Sequence, residues 1–245
     1  QHQRLARFER ANLDHFARQA REMIEIRTFE TREALMQETA SRIADAIKDG
    51  ISERGEAFVV LSGGGTPEPA YELLAAMPLD WPRVTFGLVD ERFVPPTDVA
   101  SNEALLRRTL APALAAGAKL LPMYSNTVLE EAAASVDADY AGKAIDFALM
   151  GMGSDGHTAS WFPQSPDLDS ALKNTRTVIA ATAPGAAGSA ARLTLTRATL
   201  AGAKAIVLLI TGAEKRALLD DQTRSRLPVD ELLDLPAPAE TLWAP

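Results

Sequence analysis

Apolar positions in this chain fall into short, nearly unbroken runs separated by stretches whose apolar residues recur every three or four positions. In residues 31 to 49, TREALMQETASRIADAIKD, Leu35, Ala40, Ile43 and Ile47 lie near one face, with Thr31 or Arg32 at the start and Gly50 just past the end. That spacing predicts an amphipathic helix. AFVVLS (57–62) then predicts a strand, GGGTP a turn and EPAYELLAAM a helix. The unit recurs: VTFGLVDE (84–91) is a strand running into a proline-containing loop and the helical NEALLRRTLAPALAAG, and EEAAASVDADYAGK is a helix before the strand IDFALMGM (145–152). TVIAATA (177–183), RLTLT (192–196) and AIVLLITG (205–212) are further strands, the last followed by helical AEKRALLDD. Strands that are apolar throughout, alternating with helices, predict a mainly parallel sheet with helices on both faces, a doubly wound α/β domain. No composition break marks a linker and no internal repeat is present.

Such sheets gather ligands at the carboxyl ends of their strands, which brings the loops 62–67, 90–102, 151–166 and 212–215 into joint consideration. Composition narrows what they can bind. The 245 residues are 47% hydrophobic, enough for a sizeable core. Lys+Arg of 25 against Asp+Glu of 33 leaves a net charge of -8, which argues against a nucleic-acid face or a polybasic membrane patch. An anionic ligand must therefore be held by a few placed cations. With no cysteine there is no thiolate nucleophile, no Cys-ligated metal and no disulfide framework, and a reducing cytoplasm is the default expectation. No apolar run approaches a membrane span, and residues 1–22 lack the core of a secretory signal. Those residues carry five arginines with Glu9, Asp14 and Glu22 and read as a helical extension or a remnant outside the core.

The glycines Gly151, Gly153 and Gly156 in ALMGMGSDGHTASWFPQSP have the spacing of a dinucleotide loop. The helix and the distal acidic strand end that such a loop needs are missing, because Pro163 and Pro166 interrupt the segment after HTASWF. LSGGGTPEPAYELL is the better anion loop: Gly63, Gly64 and Gly65 can turn backbone amides inward, and Thr66 can cap the helix. It has no Gly-Lys-Ser/Thr and so is no Walker-type nucleotide loop. Asp90, Glu91 and Arg92 at a strand end form either a surface ion pair or the wall of a site. Asn102 follows Ser101, a natural N-cap, while Arg192 and Lys215 are further cations near strand ends, each by itself an ordinary surface charge. His157 stands apart. Two of the three histidines lie in the first 15 residues, so a zinc site has no ligand set, and no G-x-S-x-G elbow surrounds Ser154. General acid–base chemistry through His157, with Asp155 two residues away to orient it, is the surviving catalytic role.

LSGGGTPEPAY, VDERFVPPTDVASNEALL, MGMGSDGHTASWFP and RLTLT together closely resemble the bacterial 6-phosphogluconolactonase family, in the same order and over about residues 23–245. The resemblance implies a fold like that of the glucosamine-6-phosphate deaminase/ribose-5-phosphate isomerase superfamily, in a single domain. It also implies hydrolysis of a sugar-phosphate lactone, 6-phosphoglucono-δ-lactone, without metal, nucleotide or other cofactor. On the matching positions, His157 is the proton-transfer residue and Asp155 its partner. Gly63 to Thr66, Asp90, Arg92, Gly153 and Arg192 contact the substrate, chiefly its phosphate, and Asn102 and Lys215 complete the pocket. Trp161 stands where such proteins commonly have leucine, which makes pocket shape the open point. Sugar-phosphate deaminases resemble DGHIAF and DEY where this chain has DGHTASWF and DERF. A non-catalytic sugar-phosphate sensor would also share the fold, yet no basic DNA-binding unit precedes residue 57. A monomer or weak homo-oligomer is expected.

Overall fold

The structure, a computed structural model, describes residues 25–236 and 239–245. The reading of residues 1–22 lies outside them. Among the described residues the strands are β1 (Ile26–Thr28), β2 (Ala57–Leu61), β3 (Val84–Leu88), β4 (Asp90–Arg92), β5 (Lys119–Leu120), β6 (Phe147–Met150), β7 (Val178–Thr182), β8 (Ala191–Leu195), β9 (Ile206–Thr211) and β10 (Ala239–Ala244). The helices are α1 (Arg32–Arg54), α2 (Glu68–Ala75), α3 (Asn102–Thr109), α4 (Ala111–Ala115), α5 (Leu129–Tyr140), α6 (Leu168–Lys173), α7 (Arg197–Leu200), α8 (Ala213–Asp220) and α9 (Pro228–Leu233). None is long and apolar enough to cross a membrane.

Seven strands form one sheet in the order β1-β10-β9-β6-β2-β3-β5, with every neighbouring pair parallel. β2, β6 and most of β9 are buried along their whole length, as a sheet covered on both faces requires. The expected doubly wound α/β fold is the one observed. From β2 the chain builds outward through β3 and β5, then returns to place β6 on the other side of β2. Strand order therefore reverses between β2 and β6, and the crevice beyond their carboxyl ends is where this topology opens a binding site. Ser62 N donates to Leu149 O at 3.1 Å, so the loops leaving the two strands start side by side.

Local departures from the sequence reading have physical causes. α1 does not stop at Gly50 but runs through it to Arg54. Gly50 is glycine because a Cβ there would lie 2.6 Å from the buried Asp146 carboxylate; termination falls to Gly55, left-handed at φ 82, whose N–H reaches Ile51 O. VTFGLVDE is two strands, not one. It breaks at Val89, and β4 leaves the parallel sheet to pair antiparallel with β8, which pairs antiparallel with β7. β7 and β8 thus belong to a separate three-stranded sheet, β4-β8-β7. The helix expected after residue 102 is interrupted at Leu110, and Pro112 sits in the first turn of α4.

Candidate active site

The crevice at the switch point is a cleft of about 470 Å³. Its floor comes from loops of the parallel sheet and its charged wall from the small antiparallel sheet. After β6 the chain turns tightly: Gly153 N donates to His157 O at 2.9 Å and Gly156 N to Gly153 O at 3.1 Å. This turn folds Asp155 back onto His157, whose Nδ1 lies 2.6 Å from Asp155 Oδ1 and whose backbone N donates to the same oxygen at 3.1 Å. A carboxylate can only accept, so Nδ1 carries the proton and Nε2 is left as the acceptor. The imidazole stacks on Phe162 with centroids 4.1 Å apart and planes 27° from parallel. Gly153 makes this possible, since a Cβ there would lie 2.2 Å from the imidazole. The N–H groups of Gly153 and Gly156 serve the turn itself and are not free to hold an oxyanion.

Behind the turn, Leu227 packs where a Gly156 Cβ would fall, and Val229 N donates to Gly156 O at 3.0 Å. Gly156 is left-handed at φ 78, and Ala159, at φ 47, is the non-glycine residue with positive φ among those described. A backbone this unusual beside the imidazole is held by its surroundings.

On the opposite wall, period-two alternation along β4 turns Asp90 and Arg92 into the cleft and Glu91 away from it. Asp90 accepts from Ser160 Oγ at 2.6 Å, and its backbone oxygen accepts from Asn102 Nδ2 at 2.9 Å. Asn102 in turn fills the space over Gly63, where a Cβ would fall 1.8 Å from its Oδ1. The glycine loop, the start of α3 and β4 are thereby locked together. Arg92 lies directly opposite Arg192 in the β4–β8 register. Like charges in that position repel unless something negative lies between or beside them. Asp90 supplies part of that compensation, and an anionic ligand would supply the rest. Arg192 is 2% exposed, and burial holds its guanidinium below the usual range; burial does the same to the Lys215 ammonium at the start of α8. Arg92 Nη1 donates to Ala100 O at 2.5 Å, while its buried Nε has no partner among the described residues. Arg192 donates to Ser189 O at 2.7 Å and Ala187 O at 2.8 Å, holding the 184–190 loop at the cleft mouth, and lies 5.7 Å from the Phe162 ring.

Of the residues singled out from sequence, Gly63, Gly64, Thr66, Asp90, Arg92, Asn102, Gly153, Asp155, His157, Arg192 and Lys215 meet in this one cleft. Gly65 does not line it and is exposed. Thr66 lines it without capping α2, whose N-cap position is Pro67 with no side-chain bond. Ser101 does cap α3, accepting from Ala104 N at 3.1 Å. The Asp90–Glu91–Arg92 cluster is not a surface ion pair, because Glu91 is fully buried beneath α3. Trp161 does not shape the pocket: it is buried, with Nε1 donating to Leu195 O at 2.9 Å. Phe162, Ser160 and the 186–187 segment are cleft or supporting residues that the sequence reading passed over. The first two sit inside the DGHTASWFP stretch, whereas nothing local marks Ala186, Ala187 or Leu227. Among the described residues no group of three His, Asp or Glu side chains is placed to hold a metal ion.

Residues 30–243 match the family model for glucosamine-6-phosphate isomerases/6-phosphogluconolactonase. A 6-phosphogluconolactonase of Caulobacter vibrioides is 39% identical over 226 residues, covering 90% of this chain and 97% of its own, and one of Pseudomonas aeruginosa is 40% identical over 215 residues, covering 84% and 89%. The crystal structure of a 6-phosphogluconolactonase from Shewanella baltica superposes with a TM-score of 0.85 at 30% identity, covering 91% of this chain and 98% of that one. With this fold, a cleft at its switch point and a match across most of its length, the chain belongs to the glucosamine-6-phosphate isomerase/6-phosphogluconolactonase family.

Proposed function

We propose that the protein hydrolyses 6-phosphoglucono-δ-lactone to 6-phosphogluconate, with His157 as the single proton-transfer residue. The observation that carries this reading is the Asp155–His157 pair, 2.6 Å apart, facing the Arg92/Arg192 wall across one cleft. A phosphate monoester carries close to two negative charges and suits two opposed guanidiniums that lack a full counter-charge. Held there, with Asn102 and the Gly63–Gly64 loop alongside, the sugar presents its C1 carbonyl to His157, so remote binding energy becomes orientation.

Nε2 takes a proton from water as the water oxygen bonds to C1. The imidazolium that forms is stabilised through Nδ1–H by Asp155. When the C1–O5 bond breaks, the same Nε2 returns its proton to the departing ring oxygen, and the carboxylic acid formed ionises to solvent. One imidazole serves both halves because the proton gained in the first is the one needed in the second. Phe162 keeps the ring in plane for both transfers. We also propose that residues 23–245 act as one catalytic domain.

Freshly prepared 6-phosphogluconolactone and glucosamine 6-phosphate, with acid and ammonia release followed separately, test the reading. Acid release from the lactone, reduced at least ~10²-fold in kcat but little changed in KM by His157→Ala, supports it. Ammonia release, or near-wild-type turnover by the variant, sinks it.

A further inference from the structure

The carboxylate of Glu91 has no part in the proton transfers at His157, yet it is buried without an ion-pair partner among the described residues. Its residue is 0% exposed, and four donors surround it. Oε1 accepts from Arg92 N at 2.7 Å and Asn102 N at 2.8 Å; Oε2 accepts from Glu103 N at 2.7 Å and Ser101 Oγ at 3.0 Å. Three of these belong to the first turn of α3 or its cap, where the helix terminus favours negative charge. Burial nevertheless pushes this carboxyl up to about 7, against the hydrogen bonds that favour its ionised form. The charged and titratable groups around it are Asp90 and Arg92 on its own strand, Arg192 across the β4–β8 register, Glu103 on α3 and Tyr140 on α5.

A buried charge is an expensive way to pack a helix on a strand, and apolar residues would close the same gap at lower cost. What apolar residues would not do is join two amides through one oxygen. Arg92 and Asn102 are ten positions apart, both side chains line the cleft, and Oε1 bridges their backbones. We propose that Glu91 is a positioning residue for substrate: from behind the cleft it fixes the Arg92 guanidinium and the Asn102 amide at one separation, so the substrate meets both together. This rests on the reading that the Arg92 wall binds the phosphorylated substrate.

Glu91→Gln keeps size and shape but turns one acceptor into a donor that must face an N–H group. Assayed at pH 8, above the value to which burial raises the Glu91 carboxyl, Glu91→Gln should raise KM for 6-phosphogluconolactone about tenfold, weaken binding of the product 6-phosphogluconate by the same factor, and leave kcat within about twofold. An unchanged KM overturns the proposal, as does a loss confined to kcat, which would mark general loosening. If Glu91→Gln fails to fold, Ser101→Ala, which removes the donor to Oε2 together with the α3 cap and keeps the carboxylate, must raise KM about two- to threefold; an unchanged KM there is equally fatal. Arg92→Ala measured alongside separates the two levels. A raised KM in Arg92→Ala with an unchanged KM in Glu91→Gln defeats only the Glu91 proposal. An unchanged KM in Arg92→Ala defeats the placement of substrate on this wall, and the Glu91 proposal with it.

Discussion

Gly153→Ala adds one methyl group to the cleft, and its consequence can be worked from distances. Gly153 is not in the left-handed region, so alanine meets no backbone penalty there. Its Cβ would lie 2.2 Å from both Cε1 and Nδ1 of His157 and 2.7 Å from Asp155 Oδ1. Ordinary contact begins near 3.4 Å, so the imidazole must retreat by about 1 Å. Nδ1 and the His157 N–H share Asp155 Oδ1, so a retreat of the ring stretches the 2.6 Å bond that fixes its tautomer. Misplacing a catalytic group by about 1 Å costs on the order of 10²-fold in rate. The expected result is a fall in kcat of about that size, with KM for the phosphorylated lactone within about threefold because the arginine wall is untouched. Folding stability should drop by no more than about 1 kcal/mol, since the loop is partly exposed and its backbone hydrogen bonds survive. Steady-state acid release and product binding by calorimetry measure both halves. A Gly153→Ala enzyme with kcat within about threefold of the parent would refute the reasoning, because it would show that the imidazole need not occupy this position.

Gly63→Ala should do the converse: its Cβ falls 1.8 Å from Asn102 Oδ1, so KM should rise about tenfold while kcat holds, read from the same assay. Arg192→Ala removes a buried guanidinium and leaves Arg92 as the remaining arginine of the pair; KM and product affinity should weaken roughly 10²-fold, and a change under about threefold would contradict phosphate binding there. Glu91 binds a proton more readily folded than unfolded between its ordinary value of 4.5 and about 7. Its contribution to stability is therefore fully present below pH 4.5 and is lost as pH rises through about 7, by at most roughly 3 kcal/mol. Chemical denaturation at pH 5 and 8 should show wild type losing stability relative to Glu91→Gln across that interval.

The middle of the main sheet was legible because β2, β6 and β9 are apolar at nearly every position and each is followed by a turn, whereas the short β1 and β5 are not read as strands. The second sheet was not. β8 alternates Arg192 and Thr194 with Leu193 and Leu195, a half-polar pattern that marks antiparallel pairing, but the sequence reading groups the strand with the apolar strands of the parallel sheet. β10 escaped because Glu240 and Thr241 break its apolar run, although it pairs with both β1 and β9. The members of the site were readable because their types are conspicuous: a histidine after glycines, arginines and an asparagine at strand ends. Their support was not readable, because Gly50, Gly63 and Gly153 owe their identity to the side chains of Asp146, Asn102 and His157, and only proximity in space shows it. Leu227 behind Gly156 is a further case of the same kind.

The two sheets divide the labour of the cleft. The parallel sheet contributes peptide turns, one imidazole and the Lys215 ammonium, presented from strand ends sunk in the core, whereas Asp90, Arg92 and Arg192 stand on β4 and β8, two short strands that share none of the large sheet's ladders. The His157 turn and the arginine wall thus sit on separate frameworks that touch in the cleft through Ser160, Asn102 and Phe162. Under the proposed function, a change in the charged group to be recognised is met first at Arg92 and Arg192 on the small sheet, while the His157 turn keeps its own backbone hydrogen bonds. If that function holds, an architecture of this kind lets one floor serve under differently charged walls.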